Sequence, residues 1–300
     1  MINIKSAAIA SILMLSAVTA TDMAAKTEYR IETIKIQSGE MDILTFGTGS
    51  RPLVIIPGMS IVSVLLSSET IVRNYEPYIE GYTVYLFDRI KQMPEGYSVR
   101  DMAGDTAEAM DSLGIRNACA VGYSQGGMIL QYIAILRPEL IGRAVLGSTL
   151  SRPGETTMRV MERWESLAEK GDAAGLAADM FSSIYSEEFY NANATALGAV
   201  EKLITDEDLH RFAIGVRACI GFDAYESLDS IKCPVLVIGS ERDDIIGADK
   251  PKEIADRLGC NLYMYKGYSH AVYDEAPDYK SRLFAFFNGG KSSPTCSDNK

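Results

Sequence analysis

The feature that most constrains the fold of this chain is residues 122–126, which read Gly-Tyr-Ser-Gln-Gly and have the pattern G-x-S-x-G. Residues 117–121 before the pattern form a short apolar run that is typical of a buried strand. Residues 128–136 after it place apolar side chains at helical spacing, and Pro138 then stops the helix. The sequence therefore predicts a strand, a tight turn and a helix, with Ser124 at the turn.

The glycines around Ser124 fit such a turn, because a Cβ at Gly122 or Gly126 would meet the neighbouring strand or helix. Gly127 relieves the same crowding. An ordinary glycine-rich turn would also match the pattern. The strand and helix on either side argue against that alternative.

Strand-like apolar runs alternate with helical patterns along most of the chain. Residues 29–36 and 41–46 predict a hairpin around Ser38-Gly39. Further strands are predicted at residues 53–56, 83–87, 144–146, 235–238 and 262–265. Such alternation predicts an α/β protein with a mostly parallel central sheet flanked by helices.

The alternation is interrupted between residues 152 and 229, where the pattern is helical. We therefore predict a core of residues 27–151 and 230–290, with a helical cap, residues 152–229, inserted into it. The cap holds seven basic and fifteen acidic residues, a net charge of −8. These charges either repel anionic substrates or only solvate the outer face of the cap. Its methionine and aromatic side chains either line an acyl pocket or pack the cap against the core.

Residues 1–20 have the pattern of a secretory signal peptide, with a lysine, an apolar stretch and small residues up to Ala20. The apolar stretch is shorter than the ~20 residues of a membrane span. We expect cleavage after Ala20, a secreted or periplasmic location, and no stable membrane span afterwards. The alternatives are a cytoplasmic protein and an uncleaved N-terminal anchor. Residues 291–300 form a polar tail.

Composition excludes several classes of function. The net charge of −11 disfavours nucleic acid as a partner, because phosphate binding needs clustered basic residues. The five cysteines are odd in number and widely spaced, so they predict no disulfide framework. No pair of them has metal-ligand spacing, and we predict no metal or other cofactor. The sequence leaves the oligomeric state open.

A serine at neutral pH is a weak nucleophile that needs a base, and the base needs an orienting acid. The chain has two histidines. His210 lies in an acidic helical stretch of the cap and is typical of a surface residue. His270 follows the last strand run, at the sheet edge where the turn of Ser124 emerges, so we predict that it is the base. Asp243 and Asp244 both follow a strand run and both qualify as the acid.

With these motifs, the chain resembles the α/β-hydrolase superfamily over nearly all of its length after the leader. Within that superfamily it is similar to the capped esterases, lactonases and cofactor-free perhydrolases. The resemblance rests on the turn at Ser124 and on Ile56-Pro57-Gly58-Met59, Phe87-Asp88-Arg89, Asp243-Asp244-Ile245-Ile246, Gly267-Tyr268-Ser269-His270 and Glu275-Ala276-Pro277. It implies the α/β-hydrolase fold with an inserted helical cap.

The resemblance also implies site residues. The acid loop of the family usually reads Asp-x-Ile/Val-Val-Pro with the first aspartate catalytic, which favours Asp243 over Asp244. It implies an oxyanion hole formed by the backbone N–H groups of Met59 and Gln125. The family usually has His-Gly where this chain has Pro57-Gly58, but a backbone donor does not need that histidine side chain.

We therefore predict a serine hydrolase that cleaves carboxylic esters of small neutral substrates through an acyl-enzyme intermediate. The predicted catalytic triad is Ser124, Asp243 and His270. Lactonases, amidases, acyltransferases and perhydrolases use the same triad and stay open as alternatives. A ligand-binding protein on a hydrolase scaffold is the alternative outside enzymes, and the intact triad argues against it.

Overall fold

The structure is a computed structural model that describes residues 27–290. The predicted leader and the polar tail lie outside the described residues, so signal cleavage and export stay predictions. No helix between residues 27 and 290 is long and apolar enough to cross a membrane.

One eight-stranded sheet forms the core, in the order β1-β2-β4-β3-β5-β6-β7-β8. The strands are β1 (Tyr29–Ile36), β2 (Gly39–Phe46), β3 (Arg51–Ile56), β4 (Tyr82–Ile90), β5 (Ala118–Tyr123), β6 (Ile141–Gly147), β7 (Val235–Ser240) and β8 (Asn261–Tyr265). β2 pairs antiparallel with β1 and with β4, and every other neighbouring pair is parallel. The predicted mostly parallel sheet is confirmed.

Ten α-helices lie between residues 27 and 290. They are α1 (Ser68–Tyr75), α2 (Val99–Ser112), α3 (Gln125–Leu136), α4 (Glu155–Glu169), α5 (Ala173–Ile184), α6 (Glu187–Glu201), α7 (Asp206–Ile220), α8 (Asp249–Leu258), α9 (Val272–Glu275) and α10 (Tyr279–Phe287). Short 3₁₀ turns occupy Val64–Ser67, Glu76–Tyr78, Pro138–Leu140 and Tyr225–Ser230.

β5 and α3 place the G-x-S-x-G pattern in the middle of the sheet. β5 lies between the parallel strands β3 and β6, and all six of its residues are buried. A strand covered on both faces needs a continuous apolar run rather than an alternating one, as this sequence provides. α3 packs against the sheet on one side and is covered by neighbouring elements on the other. Nine of its twelve residues are therefore buried.

β4 is longer than the apolar run at residues 83–87 suggests. It continues to Ile90 because β2 pairs with it between Val84 and Ile90, with Met41 opposite Ile90 and a register shift between Met41 and Ile43. Asp88 and Arg89 therefore belong to the strand rather than to the loop that follows it.

Helices α4 to α7 lie between β6 and β7 in the chain, within the segment predicted to be a cap. The rings of Trp164 and Phe212 join α4 to α7, with centroids 6.1 Å apart. Trp164 is buried, and its indole Nε1 donates a 2.7 Å hydrogen bond to Oδ2 of Asp179 in α5. A buried indole N–H needs such a partner. The ring contact and this hydrogen bond together join three cap helices through Trp164.

An ion-pair cluster ties the start of this helical segment to the core. Arg152 donates from Nε to Oε1 of Glu253 at 2.7 Å, and Lys250 donates from Nζ to Oε2 of Glu253 at 3.0 Å. Both Lys250 and Glu253 lie on α8, which packs against β7.

Candidate active site

Ser124 links β5 to α3 in a strained backbone conformation. Its φ is 51° and its ψ is −120°, outside the ordinary left-handed helical region, in which ψ is ~30° to ~60°. A Cβ on Gly122 would lie 2.3 Å from the carbonyl oxygen of Gly126. A Cβ on Gly126 would lie 2.0 Å from the carbonyl oxygen of Ile56. Glycine is therefore required at both positions for the turn to form.

His270 and Asp243 form a buried hydrogen-bonded pair. His270 Nδ1 lies 2.8 Å from Asp243 Oδ2, and the two residues are 2% and 4% exposed. The other carboxylate oxygen, Oδ1, accepts from the backbone N–H groups of Ile245 and Ile246, each at 3.0 Å. Because a carboxylate can only accept, the imidazole carries its proton on Nδ1, which leaves Nε2 able to take up a proton.

The neighbouring aspartate and the second histidine are placed differently. Asp244 is exposed and is not the partner of His270. His210 is exposed on α7, where its Nε2 lies 3.4 Å from Oε1 of Glu95. The geometry thus brings together the histidine and the aspartate that the sequence singles out.

Ser124 and His270 line one small cavity together with Gly58, Met59 and Gln125. Its volume is about 30 Å³, roughly the share of one water molecule. A Cβ on Gly58 would lie 3.2 Å from Cβ of Ser124, so the segment after β3 passes directly over the serine. Within residues 27–290, no hydrogen bond joins Ser124 Oγ to His270. Such contacts commonly tighten only when substrate binds.

The cap closes this cavity. Its lining includes side chains from α4, α5 and α7, namely Met161, Trp164, Met180, Ile184 and Cys219. The sequence left two roles open for the cap's large apolar side chains, lining a pocket or packing the cap against the core. These residues do both, because they face the cavity from helices that pack on the core.

Arg89 is a buried cation next to the cavity that the sequence reasoning gave no role. Its Nη2 donates to the carbonyl oxygen of Pro57 at 2.7 Å and to Oε1 of Gln125 at 3.3 Å. Burial lowers the pKa of Arg89, and its Nε and Nη1 atoms have no hydrogen-bond partner. The sequence did contain a signal for this residue. A charged residue that comes directly after a buried apolar strand run can indicate a guanidinium that faces the interior.

Gln125 connects this network to the cap. Its side-chain Nε2 donates to the carbonyl oxygen of Gly215 in α7 at 3.0 Å, and lies 3.2 Å from Sγ of Cys219. The residue after the serine thus contacts a core strand through Arg89 and the cap through Gly215.

A second, larger pocket borders the catalytic cavity. Its volume is about 240 Å³, and its lining is mostly apolar. Five residues line both spaces: Gly58, Met59, Met180, Ile184 and Tyr273. The wall of the larger pocket also carries Asp274 and Lys280, which the sequence analysis missed. Nothing in their sequence surroundings distinguishes them from ordinary helix-surface residues.

Potential metal ligands are not clustered in the described part of the chain, where no group of three His, Cys, Asp or Glu side chains could hold a metal ion. Burial raises the pKa of Cys219, Cys233 and Cys260 to about 11 in each case. These thiols are therefore neutral at physiological pH and poorly suited to act as thiolate nucleophiles.

A strand, a serine turn and a helix at the centre of an eight-stranded, mostly parallel sheet, with a helical cap between β6 and β7, define the α/β-hydrolase type of fold. Residues 53–279 match the model of the alpha/beta hydrolase family. The chain belongs to this family, which confirms the resemblance and the fold class predicted from the sequence.

Two curated relatives illustrate the chemistry found in this family. A protein of Stutzerimonas stutzeri named as the carbamate hydrolase RutD is 28% identical over 217 residues, which cover 66% of this chain and 79% of that protein. The 3-oxoadipate enol-lactonase 1 of Acinetobacter baylyi is 22% identical over 196 residues, covering 64% and 72%. Family membership and these names support a hydrolase activity.

Solved structures share the fold. MGS-M2, an alpha/beta hydrolase enzyme from a deep-sea metagenome library of the Medee basin, superimposes with a TM-score of 0.77 at 22% identity, over 89% of this chain and all of that chain. The enol-lactonase of Burkholderia xenovorans superimposes with a TM-score of 0.73 at 19% identity, over 86% of this chain and all of that chain.

Proposed function

We propose that this protein is a serine hydrolase that cleaves carboxylic esters of small neutral substrates through an acyl-enzyme intermediate. One observation carries the proposal. Ser124, held in a strained turn, shares a cavity with His270, and Nδ1 of that histidine is bonded to the buried carboxylate of Asp243.

In this proposal, Ser124 Oγ attacks the ester carbonyl carbon while His270 Nε2 takes the hydroxyl proton. Asp243 holds the imidazole in the required tautomer and stabilises its protonated form. His270 then gives the proton to the leaving alcohol. A water molecule, activated by the same histidine, releases the acid from Ser124.

Charge on the tetrahedral intermediate needs donors that are already in place. The backbone N–H groups of Met59 and Gln125 are proposed for this role, since both residues line the cavity with Ser124. Each donor of this kind is worth ~3 kcal/mol in the transition state.

The small size and neutral charge of the substrate are inferred from the surroundings of the site. The catalytic cavity and the pocket beside it have volumes of about 30 and 240 Å³, below the ~300–1,000 Å³ of pockets that hold drug-sized ligands. The segment above them has a net charge of −8, which opposes anionic substrates.

Lactones and carbamates form a second candidate substrate class, favoured by the names of the two curated relatives. Amide cleavage, acyl transfer and perhydrolysis would use the same three side chains. These reactions differ in leaving group or acceptor, which the pocket rather than the triad selects.

A fluorophosphonate probe tests the proposal, because it reacts covalently with an activated serine. We expect wild-type protein to be labelled and Ser124→Ala to be unlabelled. Ser148→Ala is the matched control and should stay labelled, since Ser148 is also buried with a positive φ of 45° but does not line the cavity. Folded wild-type protein that does not react would contradict the proposal. A panel of p-nitrophenyl esters, lactones, carbamates and amides then ranks the bonds cleaved.

A further inference from the structure

The larger pocket has two chemically distinct parts. Most of its lining is aliphatic or aromatic, contributed by the segment after β3 and by α5 and α6. Its two charged side chains are Asp274 and Lys280, and its other polar side chains are several tyrosines with Ser60, Ser63, Ser67 and Asn74. An apolar space with a few polar side chains on its wall is typical of a site that orients a small molecule.

Lys280 is half-buried among aromatic rings. Its Nζ lies 5.2 Å from the ring centroid of Tyr75, 5.6 Å from that of Tyr123 and 5.3 Å from that of Tyr279. The ammonium donates one hydrogen bond, to the carbonyl oxygen of Tyr273 at 2.5 Å. An ammonium has three N–H donors, so two remain for other acceptors.

Asp274 lines the same pocket with the opposite charge. Within residues 27–290 it forms no direct ion pair with Lys280, and the hydroxyl of Tyr185 donates to its Oδ2 at 3.5 Å. Asp274 is exposed, whereas partial burial lowers the pKa of the Lys280 ammonium, and the attraction of Asp274 offsets that shift only in part. The wall of the pocket therefore offers N–H donors from Lys280 and a carboxylate acceptor from Asp274.

The position of His270 indicates which arm of an ester would enter this pocket. The leaving alcohol must lie beside His270, which protonates it. His270 lines the catalytic cavity but not the larger pocket, whereas Gly58 and Met59 line both. In the proposed function, the carbonyl oxygen of the ester faces the backbone of Met59. A chain attached to the carbonyl carbon can therefore extend past Gly58 and Met59 into the larger pocket. Met59 and Met180 are flexible side chains that can move to admit it.

Resting on the proposed function, we propose that the larger pocket binds the acyl chain of the substrate and that Lys280 and Asp274 select a chain that carries a hydroxyl group at its far end. A hydroxyl can accept from Lys280 and donate to Asp274 at once. A carboxylate would be repelled by Asp274, and an ammonium would be repelled by Lys280. A plain alkyl chain can form neither hydrogen bond.

Four p-nitrophenyl esters with the same six-carbon acyl chain test this selection on wild-type protein. Their far ends are a methyl (hexanoate), a hydroxyl (6-hydroxyhexanoate), a carboxylate (adipate monoester) and an ammonium (6-aminohexanoate). The volume of about 240 Å³ corresponds to about eight water molecules of ~30 Å³ each, enough for such a chain. We expect kcat/KM for the hydroxyl ester to exceed that for hexanoate by about ten-fold, with both charged esters below hexanoate.

Two variants assign the effect to the two side chains. Lys280→Met should bring the ratio of kcat/KM for the hydroxyl ester to that for hexanoate down to about one and should improve the ammonium ester. Asp274→Asn should improve the carboxylate ester instead. If Lys280→Met does not fold, the wild-type panel and Asp274→Asn still decide the question.

The outcomes separate this inference from the proposed function. Turnover of hexanoate without any preference for the hydroxyl ester would overturn the inference and leave the serine hydrolase proposal standing. A preference that survives in Lys280→Met would do the same. Failure of every ester, together with no fluorophosphonate labelling, would overturn both.

Discussion

The guanidinium of Arg89 donates a 2.7 Å hydrogen bond from Nη2 to the carbonyl oxygen of Pro57, two residues before Met59. The same nitrogen also donates to the side chain of Gln125 at 3.3 Å. One buried cation on β4 therefore contacts both segments that carry the proposed oxyanion donors. Because two of its nitrogens have no partner, the position of Arg89 is not explained by hydrogen bonding for stability alone.

We expect Arg89→Met to lower kcat by about 10- to 100-fold with a smaller change in KM, less than the 10²–10³-fold of a donor removed outright. The backbone N–H donors of Met59 and Gln125 would still be present, but Arg89 would no longer hold the two segments in position. Arg137→Met is the control, since Arg137 pairs with Asp111 and Glu139 at the surface and should leave kcat unchanged. Steady-state kinetics on an ester, with circular dichroism to verify folding, measures the effect. An Arg89 variant with wild-type kcat would refute a positioning role.

The two adjacent aspartates of the acid loop should differ strongly in their effect on catalysis. Asp243→Asn is expected to lower kcat by about 10³–10⁴-fold, because an amide favours the wrong tautomer of His270. Asp244→Asn should change kcat by less than about three-fold, since its side chain is exposed. Kinetics of the matched pair on one ester decides the matter, and the opposite ranking would reassign the acid.

Steric room at the glycine turn predicts a difference in stability. An added methyl at Gly126 would lie 2.0 Å from the Ile56 carbonyl oxygen, so Gly126→Ala should destabilise the fold by ~1–3 kcal/mol or more. Gly198 lies in α6 with no atom within 4 Å of an added Cβ, and Gly198→Ala should stabilise the protein by up to ~1 kcal/mol. Urea unfolding of both variants measures this. Equal effects of the same sign would argue against this geometry of the turn.

The cluster at Glu253 predicts a pH-dependent contribution to stability. Partial burial raises the pKa of Glu253, but hydrogen bonds from Lys250 and Arg152 outweigh it and hold the pKa below its ordinary value of 4.5. Since the native pKa is lowered, the contribution is present above pH 4.5 and is lost as the pH falls through the native pKa. Glu253→Gln should therefore lower the free energy of unfolding at pH 7 by less than about 1 kcal/mol, which a decrease in Tm would detect. It should have little effect on Tm in acid.

Glu226→Gln is the control for that experiment. Glu226 is 79% exposed in its pair with Arg257, so its effect on Tm should be near zero at every pH. A Glu253→Gln deficit that stayed constant from neutral to strongly acid pH would show that the effect is not electrostatic.

The parts of the site that follow from local pattern and chain order could be predicted from the sequence. Ser124 and Asp243 follow the buried strands β5 and β7, and His270 follows the edge strand β8. The carboxyl ends of parallel strands meet at one edge of a sheet. Two histidines left little choice of base. The choice between the two aspartates came from a family resemblance, and the structure places the first of them beside His270.

Arg89, Asp274 and Lys280 could not be assigned in the same way. Arg89 lies inside a strand because β2 pairs with β4 beyond its apolar run, which is a long-range contact. The environment of Lys280 is formed by rings from α1, β5 and α10, which are far apart in the chain. The periodicity of apolar residues within one segment does not indicate which distant segments will contact it in the fold.

Ser124 adopts a backbone conformation that side chains rarely take, at a cost of the order of 1–3 kcal/mol. Glycine would adopt it with less strain and would have no hydroxyl. At this residue, selection for thermal stability and selection for reactivity would therefore choose different amino acids. A library screened only for heat resistance is expected to enrich folded proteins that have lost their chemistry.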